Sequence, residues 1–253
     1  MSKILYVGDS AIKAVIALEG FDAFSFLEQI WDAGTLLQSA LEACGHKVIR
    51  MLSHEAFHNL PETAEELADF DVLILSDISH DSILLYPGPR RNNVPMGRNR
   101  MKEIVRYVQN GGGLAYLGGY FTYQGYHGKG RWYDTPVAKI LPVEIQSYYD
   151  DRVETPEGAR MHVLNTDHPI WDGISLNSLP VFMGYNKTLS RPGAELLAQV
   201  GEDNDPLLAC WEFGKGRVVA FTSDAAPHWG SDFIRWTYYQ RFWNQVIVWL
   251  SGK

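Results

Sequence analysis

Acid–base side chains stand directly behind apolar runs at two places in this 253-residue chain, and a glycine pair does so at a third. Asp77, His80 and Asp81 follow Phe70-Asp-Val-Leu-Ile-Leu-Ser76, Asp224 and His228 follow Arg217-Val-Val-Ala-Phe-Thr-Ser223, and Gly118, Gly119 and Tyr120 follow Leu114-Ala-Tyr-Leu117. If the three runs are strands of one parallel sheet, their ends converge. Asp77, His80, Asp224 and His228 then become candidates for general acid–base work on a small polar molecule. The same set could hold a divalent cation, but no close ligand pair such as His-x-x-x-His occurs, and neither a metal nor a cofactor is assigned. The competing reading makes Asp77 and Asp224 caps of turns and helix starts and packs the histidines on Trp229.

The segment Tyr120 to Tyr133 mixes aromatic rings, donors and glycines. Gly118, Gly119, Tyr120, Tyr123, Gln124, Arg131 and Trp229 are the candidate ligand-binding residues, with rings to stack on a flat polar ligand such as a sugar and side chains to hydrogen-bond it. The glycines do not follow the phosphate-loop spacing, so that motif is rejected. The alternative is that these aromatics anchor a lid or a subunit interface, the chain then being a noncatalytic assembly or regulatory subunit, and a homo-oligomer is a further candidate state. Asp150-Asp-Arg-Val-Glu154 reads as a solvated turn whose charges pair among themselves.

The elements that must carry these residues follow from periodicity. Lys3–Gly8, Lys47–Met51, Phe70–Ser76 and Leu114–Leu117 are strands, the later ones continuously apolar as in buried parallel sheets. Between them lie helices over Ala33–Cys44, closed by Gly45, over Thr63–Ala68, and over Arg98–Asn110, closed by Gly111-Gly-Gly113. Strand and helix in alternation give a doubly wound sheet. Ala194–Val200, Leu207–Phe213 and Arg217–Ser223 are further strands, the last two joined through Gly214-Lys-Gly216, and form an appended antiparallel meander. A Trp-rich helix closes the chain, within about Phe233–Leu250. Tyr86–Gly97, Tyr120–Thr135 and Ser147–Gly158 are long irregular stretches of the kind that serve as lids or partner surfaces. No repeat or linker interrupts the chain, so it is expected to be a single domain over 1–253.

Composition bounds the function. A net charge of -8 disfavours nucleic acid, and the basic cluster Arg90, Arg91, Arg98, Arg100 and Lys102 is local. No apolar run is long enough to span a bilayer, and the first residues enter a strand directly without a signal-peptide pattern, so a cytoplasmic location is expected. Two cysteines, Cys44 and Cys210, exclude a disulfide framework or thiolate metal centre.

Phe70–Ile78, Gly111-Gly-Gly-Leu-Ala-Tyr-Leu-Gly-Gly-Tyr-Phe121, Leu141-Pro-Val-Glu144, Asp150–Glu154 and Gly216–Trp229, taken in order, resemble the glutamine amidotransferase-like family of bacterial cytoplasmic proteins, within the class I glutamine amidotransferase-like superfamily. The resemblance implies an α/β fold: a three-layer, flavodoxin-like, doubly wound, mostly parallel sheet with its site at the carboxyl ends of the strands. In true class I amidotransferases that site has a Cys in a strand-to-helix elbow and a His and Glu behind a later strand. Here the elbow falls at about Gly118–Thr122 and the His/Glu region at about Thr222–Asp224, and neither the thiol nor the His-Pro-Glu is present. The resemblance thus leads to an expectation of binding, or of acting on, a small polar metabolite without glutaminase chemistry, which needs a thiolate beside a base.

Overall fold

The computed structural model describes residues 1–85 and 97–253. In chain order its elements are β1 (Lys3–Gly8), β2 (Ser10–Glu19), β3 (Asp22–Asp32), α1 (Thr35–Ala43), β4 (Lys47–Met51), α2 (Ser53–Asn59), α3 (Ala64–Leu67), β5 (Val72–Ser76), α4 (His80–Leu84), α5 (Arg100–Gln109), β6 (Gly113–Leu117), β7 (Val143–Ile145), β8 (Arg152–Val163), β9 (Val181–Asn186), β10 (Thr188–Ser190), β11 (Glu195–Val200), β12 (Asp205–Phe213), β13 (Gly216–Phe221) and α6 (Tyr239–Ser251).

Nine strands form one sheet in the order β4-β1-β5-β6-β13-β12-β11-β8-β9. Pairings from β4 to β13 are parallel, and those from β13 to β9 are antiparallel. Two antiparallel pairs, β7 with β10 and β2 with β3, stand outside it. This overturns the expectation of a three-layer, flavodoxin-like, mostly parallel sheet. The pairings divide evenly between parallel and antiparallel, and the antiparallel half is an integral part of the sheet, wider than an appended meander. The reading missed β8 and β9 because the charged start of β8 (Arg152-Val-Glu-Thr-Pro-Glu) carries no apolar run, and an antiparallel strand with one wet face needs none.

The parallel half explains itself from its sequence. β1 and β5 are buried on both faces, so their side chains alternate between two cores. Ile4 and Tyr6 pack with Leu37 and Leu41 of α1 and Trp243 and Val246 of α6, while Leu5 and Val7 pack with Leu67 of α3 and Ile104 and Val108 of α5. Each such side chain contributes roughly 1.5–3 kcal/mol by leaving water. The helices begin and end where short polar residues allow. Asn99 accepts the Lys102 amide at the start of α5, Thr63 and Glu66 form a capping box at α3, and Gly252 takes a left-handed φ after α6. Among the described residues no helix is long and apolar enough to cross a membrane. The stretch Tyr86–Gly97 read as a loop, with Arg90 and Arg91, lies outside the described residues except for Gly97.

Between β1 and α1, where no element was expected, the chain makes an extended hairpin. β2 and β3 pair from Ser10↔Asp32 to Glu19↔Asp22, with one irregularity after Lys13. Gly20, at φ +63°, is the first residue of the tight turn between them. The root is pinned. Ala33 donates its amide to the Asp9 carbonyl (2.8 Å), and Arg50 pairs with Asp32 (2.7 Å) while also reaching the Gly8 carbonyl (2.6 Å).

Candidate functional site at the strand ends

Four adjacent parallel strands, β1, β5, β6 and β13, end side by side, and three of them end in an aspartate. Asp9 follows β1, Asp77 follows β5 and Asp224 stands three residues beyond β13. Asp9 and Asp77 both hold a left-handed backbone, φ 46° and 42°, a conformation that Asp tolerates better than most residues. The turn after β6 must pass very close to these groups. A Cβ on Gly118 would stand 2.4 Å from the Thr222 carbonyl oxygen, and one on Gly119, at φ +145°, would stand 2.5 Å from the Asp77 carboxylate. Only glycine fits either place.

The carboxylates repel one another in a dry setting. Burial first, and then the charge of Asp224, push Asp9 up to about 7, against the opposing pull of its bond from the Tyr6 hydroxyl and of Arg50. Burial and the charges of Asp224 and Asp9 push Asp77 up to about 8, although its Oδ1 accepts the Phe121 amide at 2.7 Å. For His228, burial works against the charged ring, but its pairing with Asp224 (Nδ1 to Oδ2, 3.6 Å) and the charges of Asp77 and Glu154 outweigh it, so the imidazolium is favoured. Asp9 and Asp77 therefore change protonation near neutral pH beside a ring whose charged form the cluster favours, the kind of setting in which protons are donated and accepted near pH 7.

Around it runs an ordered aromatic and charged wall. The Tyr120 hydroxyl donates to Glu154 Oε1 (3.0 Å) and the Trp229 indole N–H to Glu154 Oε2 (3.0 Å). The His228 ring meets the edge of Tyr120 at 4.4 Å, and Arg152 sits 4.4 Å from the ring centres of both Tyr120 and Tyr126. Arg152 is held in turn by Asp150, through Nε–Oδ1 and Nη2–Oδ2 contacts of 2.9 Å each. Burial resists ionisation of Asp150, but these bonds and the His127 amide prevail and bring it down to about 2.

The expected residues therefore divide. Asp77, Asp224, His228, Gly118, Gly119, Tyr120 and Trp229 come together. His80, Gln124 and Arg131 instead border a separate cleft of about 460 Å³ with Tyr133 and Thr135. There His80 Nδ1 meets Asp81 at 2.8 Å, Arg131 bonds Asp81 at 3.1 Å, and Gln124 uses its side chain on the Tyr133 amide and the Tyr148 carbonyl. Tyr123 was expected to touch ligand, but its ring is fully buried against Tyr116, with its hydroxyl aimed at the Phe221 carbonyl (3.4 Å). It is a core side chain.

Three contributors went unread. Asp9 carries the same signal as Asp77, an apolar strand followed at once by aspartate. Asn186, wholly buried at the end of β9, accepts the Gly119 amide (3.0 Å) and donates to the Gly119 carbonyl and to Asp151, clamping the β6 turn from the antiparallel half. Asp151 is buried and accepts the Gln124 and Gly125 amides at 2.8 Å each, so it organises the aromatic loop and is not part of a solvated turn.

The chain's two cysteines stand apart from this cluster. Cys44 caps the end of α1. Cys210 is buried in β12, where burial and then Glu195 push its thiol up to about 12. His168 Nε2 lies 3.6 Å from the Cys210 sulfur, but burial lowers the ring's affinity for protons and its Nδ1 accepts the Ile170 amide. The pair is thus a thiol beside a neutral ring whose Nε2 carries the hydrogen. With Glu195 it is a group close enough to chelate a cation among the described residues, and a cation there would have to displace the protons of the thiol and of Nε2.

The fold is thus a mixed α/β sheet whose parallel strands end in a cluster of ionisable side chains. The family model for putative glutamine amidotransferases matches residues 3–252, and the chain belongs to that family. Two cytoplasmic proteins of Salmonella typhimurium are similar throughout: STM3548, at 33% identity and a TM-score of 0.90 over 98% of each chain, and STM1381 of strain LT2, at 34% identity and a TM-score of 0.89 over 98% of this chain and 99% of that one. A ThuA-like protein from Parabacteroides merdae shares the fold, at 12% identity and a TM-score of 0.56, over 100% of this chain and 91% of that one. None of the curated proteins searched matches the sequence.

Proposed function

We propose that the chain is a glutamine amidotransferase-like protein without glutaminase activity, cytoplasmic like its Salmonella relatives, that binds a small polar metabolite at the ends of β1, β5, β6 and β13 and exchanges protons with it. The observation that carries the reading is the meeting of Asp9, Asp77 and Asp224, two of them titrating near neutral pH, beside an imidazolium-favouring His228. In this reading a protonated Asp77 or Asp9 serves as acid and the Asp224–His228 pair as the matching base and charge partner. Glu154, Arg152, Tyr120 and Trp229 form the wall that orients the ligand.

The absence of acyl-thioester chemistry is supported by the elbow residues Gly118-Gly119-Tyr120 and by the burial of Cys210 as a thiol. Tyr120 is no substitute nucleophile, because burial and Glu154 raise its phenol further above the physiological range.

Thermal-shift screening against sugars, sugar phosphates and amino acids tests the reading. A ligand at about a hundred times its dissociation constant stabilises by about 2.7 kcal/mol. That gain is expected to vanish in both Asp77→Asn and Asp224→Asn. A stabilising ligand indifferent to both substitutions overturns the site, and ammonia release from glutamine that is lost on replacing Cys210 overturns the absence of glutaminase activity.

A further inference from the structure

The hairpin of β2 and β3 is apolar on both faces, and its own chain leaves both faces uncovered. Residues paired across the two strands share a face. One face carries Ile12, Ile16 and Leu18 with Ile30, and the other carries Val15 and Ala17 with Phe24 and Phe26, whose rings stack at 6.2 Å. Ile16 and Leu18 are 73% and 78% exposed, Phe21 at the tip is fully exposed, and Ile12, Phe24, Phe26 and Ile30 are each about half exposed. Their uncovered surface is on the order of 800 Å², the share that each partner contributes to a standard protein interface. That total is summed over both faces and the tip, and the residues on each face form a separate apolar strip. Among the described residues neither outer edge of the hairpin pairs with another strand.

Charge decides what covers it. Among its described side chains the hairpin has one cation, Lys13, against Glu19, Asp22 and Asp32, so it repels anionic lipid headgroups and nucleic acid. On the Phe24/Phe26 face the charges are segregated by height, with Lys13 near the root and Glu19 and Asp22 at the tip. A second arm laid antiparallel on that face sets each Lys13 against the other arm's Glu19 and Asp22, with the rings of Phe24 and Phe26 between. The pattern is self-complementary under a two-fold rotation, as an isologous interface requires.

We propose that the hairpin Ser10–Asp32 is a dimerisation arm whose partner is a second copy of this chain, the arms crossing antiparallel with root against tip. The arm springs from Asp9, so the interface is seated beside the carboxylate cluster.

Sedimentation velocity on the full chain tests this. The wild type is expected to be a dimer at micromolar concentration. Lys13→Glu puts like charges at both ends and is expected to weaken association at least ~10-fold, as is Glu19→Lys with Asp22→Lys. Mixing the two variants restores opposite charges at both ends, so the mixture is expected to dimerise as the wild type does. Phe24→Lys with Phe26→Lys puts like charges at the centre of the face on which the arms cross and is expected to weaken the dimer at least ~100-fold. Because charge reversal on an exposed arm leaves the core untouched, near-wild-type unfolding temperatures are expected for all variants. Amide exchange of residues 10–32 in the wild type, slower at high than at low protein concentration, is the variant-free check. A monomeric wild type, a dimer indifferent to the arm substitutions, mixed variants that stay apart, or arm amides insensitive to concentration would each overturn the proposal.

Discussion

Replacing Asp77 by Asn isolates what the crowding of carboxylates costs the fold. Asn keeps the oxygen that accepts the Phe121 amide and fills the same space beside Gly119, but it has no proton to lose. In the folded protein Asp77 ionises near pH 8, against about 3.9 in an unfolded chain. Between those values the folded state holds a proton that the unfolded chain has released. Wild-type stability therefore falls as pH climbs from about 4 towards 8, and below pH 4 the group makes no difference. At 1.36 kcal/mol per unit the loss by pH 7 has a ceiling of about 4 kcal/mol. Asp9 shares the repulsion and can take up a proton in its place, so roughly half of that, about 2 kcal/mol, is expected to return in the variant. In a chain of this size that raises the unfolding temperature by about 4–8 °C at pH 7. Thermal unfolding of both proteins at pH 5, 6, 7 and 8 gives the measurement, and the gap in favour of Asn should widen at each step. A gap of constant size, or a wild type more stable than the variant at pH 8, would refute the account of a strained, proton-holding cluster.

Asn186→Ala removes three buried hydrogen bonds from the β6 turn and Asp151, and urea unfolding should show a loss of about 3–4 kcal/mol with an unchanged slope. Gly119→Ala should cost about 2–4 kcal/mol in the wild type and less in an Asp77→Gly background, because the added methyl collides with the Asp77 side chain from its Cβ outward; equal costs in both backgrounds would show that backbone conformation alone sets the penalty. A thiol reagent at pH 8 should titrate only Cys44 in the native protein and both cysteines after denaturation, whereas rapid native labelling of Cys210 would contradict its burial and high pKa.

The parallel half of the sheet was legible because its strands are buried on both faces and so must be written as unbroken apolar runs. β1, β4, β5 and β6 lie within about two residues of where Val, Ile and Leu place them, and the β12–β13 turn is at Gly214 as its glycines require. The antiparallel half was legible only where it repeats that signal. β8 opens with charge because its start faces solvent, and its partner β9, Val-Phe-Met-Gly-Tyr-Asn, carries a glycine in the middle of its run, which weakens the strand pattern. The hairpin was invisible for a different reason: Ala-Ile-Lys-Ala-Val-Ile-Ala-Leu fits helix and strand patterns equally well, and nothing local says that an apolar segment will stand away from the core. At the site, the rule that a polar residue just after an apolar strand marks a ligand end identified Asp77 and Asp224 and, applied evenly, would have given Asp9. Tyr123 misled because an aromatic in a glycine-rich loop looks exposed, whereas it folds back under Tyr116. Asn186 could not be read at all, since its part depends on two halves of the sheet meeting.

The way the hairpin joins the body has a consequence for how such a chain can change over generations. It departs after Asp9 and returns at Ala33, and those two residues are already bonded to each other through their main chains. An excursion that closes on itself in this way can grow, shrink or be repainted in sequence while β1 and α1 keep their places. Homologues are therefore free to differ in how copies associate yet retain the same tuned carboxyl a single residue away.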